Sequence, residues 1–144
     1  MARILLVEDN DLLRSMFSDV LTDAGYNVMA AEDGPTAATL LREQAQFDAL
    51  LTDIKLPGSM NGLAVGQLFR ERYPDCPIVY MSGAPDQLPQ TSLQSGKDFV
   101  LKRPCTLTQL LSRFDTVFGS KAPHDCQAYA VGYDSQPERR STDA

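Results

Sequence analysis

Four short apolar runs of this chain end in residues able to do chemistry. Arg3-Ile4-Leu5-Leu6-Val7 runs into Glu8-Asp9-Asn10-Asp11, Phe47 to Thr52 into Asp53, Pro77 to Met81 into Ser82-Gly83, and Phe99 to Leu101 into Lys102-Arg103. Brought to one place, Glu8, Asp9 and Asp53 repel each other unless a cation or protons intervene. Their donors are all oxygen, with no His or Cys beside them, a set that suits a hard cation such as Mg2+ better than zinc. A lysine and a serine hydroxyl across the same crevice suit a phosphoryl group: the ammonium supplies a point charge, the hydroxyl a hydrogen bond, and the metal offsets the remaining charge.

The elements needed to bring these residues together are written in the apolar pattern. The runs near residues 3–7, 26–31, 47–52, 77–81 and 99–101 read as short strands buried on both faces. Between them lie helical stripes. Leu12, Leu13, Met16, Phe17, Val20 and Leu21 form the first, with Asn10 or Asp11 as N-cap and Gly25 at its end. Gly34-Pro35 opens the second, expected to run to about Gln46. The third starts near Leu63, turns Leu63, Leu68 and Phe69 to the core, and stops before Pro74. Pro85 and Pro89 disfavour a long regular helix across 84–97, so a short or distorted one is expected there. Leu107, Leu110, Leu111, Phe114, Val117 and Phe118 form the last stripe, the cleanest of all.

Five βα repeats imply an α/β fold, a parallel sheet of five strands with five helices on its two faces, here taken in the doubly wound, flavodoxin-like order 2-1-3-4-5. The reactive residues then share the carboxyl edge. The switch point lies between strands one and three, the two that carry the carboxylates. The pattern ends near Gly119, so residues 1–119 are expected to form one domain and 120–144 a mobile C-terminal tail. A tail this short favours a stand-alone single-domain protein.

Composition removes several classes of function. With 144 residues, a second catalytic domain has no room. Thirteen Lys+Arg against 19 Asp+Glu leave a net charge of −6, which argues against direct nucleic-acid binding. No apolar run approaches a membrane span and the amino terminus does not read as a signal peptide, so no membrane partner is expected. The three cysteines, Cys76, Cys105 and Cys126, are odd in number and lack CxxC spacing. They argue against a zinc site or disulfide framework and for a cytoplasmic location. A GxGxxG dinucleotide loop is missing after strand one, where carboxylates would repel phosphates.

The set Leu6-Val7-Glu8-Asp9-Asn10, Leu51 to Gly58, Met60-Asn61-Gly62, Met81-Ser82-Gly83 and Lys102-Arg103-Pro104 resembles the receiver domain of two-component response regulators, over about residues 2 to 119. The resemblance implies that Asp53 is the phosphoacceptor, attacking a phosphohistidine on a partner histidine kinase or phosphotransfer protein. It implies Mg2+ held directly by Asp9, by Glu8 largely through water, by Asp53 and by the backbone carbonyl of Lys55. Ser82 becomes the switch hydroxyl and Lys102 the residue pairing with the phosphoryl group. Signalling would run by protein contact, to a downstream target or a second copy, through the fourth helix, fifth strand and fifth helix. Such a domain is a phosphorelay component and not an enzyme in the usual sense. An aspartyl-phosphate phosphatase would need a second acid two residues after Asp53, where Lys55 stands.

One segment departs from the family. There lysine is followed directly by proline, often through a cis bond; here Arg103 intervenes. Counting from Phe99 makes Lys102 the functional residue, with one residue inserted. Counting back from Pro104-Cys105-Thr106-Leu107 puts Arg103 in its place. A compact ammonium fits a single phosphoryl oxygen, which selects Lys102, with Arg103 the alternative. The switch aromatic is Phe99 on the first count and the non-aromatic Val100 on the second. The altered segment also keeps open a degenerate receiver that only binds protein partners, independently of phosphorylation.

Overall fold

The computed structural model describes residues 2–44, 46–84, 93 and 96–119. Its elements are β1 (Arg3–Val7), α1 (Asp11–Asp23), β2 (Asn27–Ala31), α2 (Gly34–Glu43), β3 (Ala49–Asp53), α3 (Gly62–Arg72), β4 (Ile78–Ser82), β5 (Asp98–Lys102) and α4 (Leu107–Gly119). The strands form one sheet in the order β2-β1-β3-β4-β5, every neighbouring pair parallel. The helix expected within 84–97 falls almost wholly outside the described residues, so four helices are seen where five were expected.

Strand alternation divides the core in two. Leu5, Val7 and Leu50 look to one face, where they meet Ala37, Leu41, Val65 and Phe69 of α2 and α3. Ile4, Leu6 and Leu51 look to the other and meet Phe17, Leu21, Leu110 and Phe114 of α1 and α4. The chain therefore leaves β1 toward one face and β3 toward the other, and the crevice between those two strands opens at their carboxyl ends.

The helix starts are fixed by side chains that satisfy otherwise unpaired N–H groups. Asn10 Oδ1 accepts from Leu13 N–H at 2.9 Å, Asp33 from Thr36 at 2.8 Å and Asn61 from Ala64 at 3.0 Å. Thr106 and Gln109 cap α4 reciprocally, at 3.1 and 2.8 Å. Asn10 is thus the cap of α1, and Asp11 its first residue.

Several local expectations shift. Asp53 is the last residue of β3 and not the first beyond it, and α2 stops at Glu43. In α3 the inner face belongs to Val65 and Phe69, while Leu68 is 36% exposed. In α1, Leu12 and Met16 are exposed, and Phe17 and Leu21 carry the packing. Both apolar stripes are wider than the arc of helix that the sheet covers. Cys76 is disulfide-bonded, against the expectation of free thiols; Cys105 is free.

Candidate acidic site at the carboxyl edge

The carboxyl ends of β1 and β3 bring Glu8, Asp9 and Asp53 together, with one carboxylate oxygen from each inside a 4.8 Å span. Glu8 is fully buried and Asp53 nearly so, at 8% exposure, whereas Asp9 faces solvent. Glu8 continues the β1–β2 ladder through its N–H to Ala31 O at 3.1 Å, which turns its side chain inward. Its Oε2 accepts from Asn10 N–H at 3.0 Å, and its carbonyl from Arg14 Nη1 at 2.9 Å. Arg14 in turn pairs with Asp11 at 2.6 Å, so the first turn of α1 braces the strand end.

Asp53 is held from below by glycine. A Cβ at Gly62 would lie 2.1 Å from the Asp53 carbonyl oxygen, and Gly62 N–H donates to Ile54 O at 2.8 Å. Only a residue without a side chain lets α3 start against the backbone of Asp53.

Arg103 completes the cluster. Its Nη1 lies 3.0 Å from Glu8 Oε1 and 2.6 Å from Asp53 Oδ2, one nitrogen shared by two carboxylates. Its backbone N–H donates to Ser82 O at 2.7 Å, which extends the β4–β5 pairing and aims the side chain at the crevice; the Arg103–Pro104 bond is cis. Of the two candidate cations, Arg103 is the one whose side chain meets the carboxylates. Lys102 stands opposite Ser82 at the end of β5, exposed, and makes no ion pair with a described residue. Neighbouring residues of an extended segment point to opposite sides, so only one of the pair can enter the crevice.

Ser82 is buried at the end of β4, one residue beyond Met81, the register partner of Asp53. Its Oγ accepts from Ala84 N–H at 3.0 Å. Lys55 is exposed, and its backbone N–H works to lower the Asp53 pKa.

Burial pushes the Asp53 carboxyl above its ordinary value, against the pull of Arg103. Glu8 is raised for the same reason, with the Asn10 N–H and Arg103 opposing. Burial works against the charge on Arg103, yet Asp53 and Glu8 overcome it and raise its pKa. One guanidinium thus leaves an excess of negative charge among three carboxylates. Oxygen-only donors at this spacing fit a hard divalent cation.

The bracing by Arg14 and the closeness of Gly62 to the Asp53 carbonyl lay outside the expectations, whereas Arg103 is the stated alternative to Lys102. Arg14 and Gly62 act through backbone atoms six and nine residues away, for which the sequence carries no spacing signal.

Comparison with known proteins agrees with this geometry. The model of the response regulator receiver domain matches residues 4–115. The response regulator protein FleR of Pseudomonas aeruginosa is 34% identical over 103 residues, covering 70% of this chain and 21% of FleR. The chain thus spans about a fifth of that relative's length. A response regulator receiver protein from Sinorhizobium medicae superposes with a TM-score of 0.69 at 30% identity, over 83% of this chain and 95% of that one. The receiver domain of the sensor histidine kinase PA1611 from Pseudomonas aeruginosa, solved with a magnesium ion coordinated in its active-site cleft, gives 0.69 at 27% identity, covering 82% and 98%. With that fold, that acid cluster and those matches, the chain belongs to the response regulator receiver domain family.

Proposed function

We propose that residues 1–119 act as a phosphoacceptor, with Asp53 receiving a phosphoryl group from a phosphohistidine of a partner histidine kinase or phosphotransfer protein. A carboxylate oxygen of Asp53 forms the new P–O bond as the P–N bond to histidine breaks, and the imidazole keeps the electron pair and takes up a proton. The observation that carries this reading is the convergence of Glu8, Asp9 and Asp53 within 4.8 Å at the mouth of β1 and β3.

Asp9, Asp53 and the Lys55 carbonyl would hold Mg2+, with Glu8 acting through water. The ion, when bound, offsets charge on the entering phosphoryl oxygens. Ser82 then supplies a hydroxyl donor to the phosphoryl group. Arg103 replaces Lys102 as the paired cation, because it already contacts the acceptor carboxylate. On that count the switch-aromatic position falls on Val100, which pairs with Tyr80 in the sheet. The complete acid set speaks for phosphorylation over a degenerate binding module.

Output then passes by protein contact through the face around β5 and α4, to a downstream protein or a second copy, without direct nucleic-acid binding. The 120–144 tail lies outside the described residues. Among the described residues no helix is long and apolar enough to cross a membrane, which accords with a cytoplasmic reading.

Mass spectrometry after incubation with Mg2+ and acetyl phosphate tests the proposal. A single phosphate adduct is expected on the wild type and none on Asp53→Asn, or after chelation of the metal. An adduct that persists in Asp53→Asn and maps elsewhere overturns it.

A further inference from the structure

We infer that Arg103 is the resident counter-ion of the acid cluster and the residue that sets its affinity for divalent cations: guanidinium and metal compete for the same carboxylates. The inference rests on the metal-dependent phosphoacceptor reading given above.

Three observations carry it. A single nitrogen, Nη1, lies within hydrogen-bond distance of both Glu8 Oε1 and Asp53 Oδ2, so it occupies the space between two of the three acids. Glu8 has both oxygens engaged while that contact holds, Oε1 by Arg103 and Oε2 by Asn10 N–H. Asp53 Oδ2 is likewise engaged by Arg103. Asp9 is the exposed member of the set. A divalent ion arriving from solvent meets Asp9 first and must then share Asp53 with the guanidinium, whose charge opposes it.

The identity of the cation decides how readily that happens. A guanidinium is more weakly hydrated than an ammonium, so returning it to water repays less. Its fork also has further N–H donors that keep a hold on Glu8 while Asp53 is released. A lysine at this place would give one compact charge that water takes back easily. Arginine at 103 therefore makes the metal-free cluster better satisfied and the metal weaker than lysine would. Lys102, one residue away and exposed, takes no part.

The test is calorimetric titration of Mg2+ into the full chain at pH 8, with thermal unfolding of each protein in EDTA and in saturating Mg2+. Arg103→Gln is expected to bind Mg2+ about tenfold more tightly than wild type, because one unit charge has left the cluster. Arg103→Lys should fall between the two, and Lys102→Gln should match wild type. In EDTA Arg103→Gln should melt earlier, and its gain in Tm on adding Mg2+ should exceed that of wild type. Arg103→Lys serves where Arg103→Gln proves too unstable in EDTA. Wild-type binding with equal or weaker binding in both Arg103 variants overturns the inference and leaves the metal reading standing. If no protein of the series binds Mg2+, the metal reading fails and the inference falls with it.

Discussion

Strand β5 carries an arginine–carboxylate site at each end, and the two are built to opposite purposes. At its amino end Asp98 pairs with Arg70 of α3, and the Arg70 Nη1 also donates to the carbonyls of Tyr73 at 3.3 Å, Pro74 at 3.1 Å and Cys76 at 2.5 Å. The guanidinium meets the Asp98 carboxylate through Nη2 and three neutral carbonyls through Nη1, while its buried Nε has no partner among the described residues. The pair is deeply buried, with 14% of the Arg70 side chain and 4% of Asp98 exposed. Just past the carboxyl end, Arg103 is shared between Glu8 and Asp53 with Asp9 close by. Charge is balanced at the first site and left negative at the second. A balanced pair ties α3 and the entry to β4 onto the sheet edge. An unbalanced cluster stores an affinity for a cation, which is what binding chemistry requires and what stability alone would not select.

Breaking the balanced site should cost the most. Arg70→Ala takes the guanidinium away from the buried Asp98 carboxylate, and a loss of about 3–5 kcal/mol is expected in urea unfolding. A loss no larger than that of an exposed pair would erase the contrast between the two ends. Next comes the support under the acceptor: Gly62→Ala drives a methyl group into the Asp53 carbonyl and should cost about 1–3 kcal/mol. It should also slow adduct formation from acetyl phosphate, and unchanged kinetics would show that the position of Asp53 does not depend on α3.

Removing a carboxylate from the unbalanced site should act in the other direction. Asp53→Asn in EDTA near pH 7 should raise the unfolding midpoint, by less than either loss above, since burial already opposes the charge on Asp53. A lower midpoint would mean that the pairing with Arg103 outweighs the crowding.

The smallest effect sharpens the balanced end. The Tyr80 hydroxyl packs beneath Gly66, and burial first, then Asp98, push its pKa from 10.0 up to about 12, with Arg70 opposing. The folded state thus keeps a proton that the unfolded chain gives up near pH 10. That contribution to stability is complete below pH 10 and lost as pH rises toward 12. Tyr80→Phe should show a shallower alkaline fall in Tm over this window, and the wild-type tyrosinate absorbance should keep one late-titrating group. Identical alkaline profiles would count against the burial of Tyr80.

Much of the site was legible because strand ends are sharply marked. The apolar runs before Glu8 and Asp53 are uninterrupted, and in a parallel sheet all such ends share an edge, so pattern and topology together brought three acids to one place. Asn10 was legible as a cap by the same local logic. Helix faces were read less well. Leu12, Met16 and Leu68 satisfy helical spacing, yet the arc covered by the sheet excludes them. Chemistry selects Lys102 over Arg103 for a phosphoryl group, yet it is the Arg103 side chain that reaches the carboxylates.

The acid set and the five-strand alternation follow from local composition and period, because burial on both faces of a strand and capping of a helix are written in neighbouring residues; the resemblance to a receiver domain rests on the motifs at the strand ends. Which cation enters the crevice depends on one residue's phase at the end of β5. That Asp53 rests on a glycine depends on the approach of α3 to β3. Both are distances between segments far apart in the chain, which only packing of the whole sheet and its helices decides.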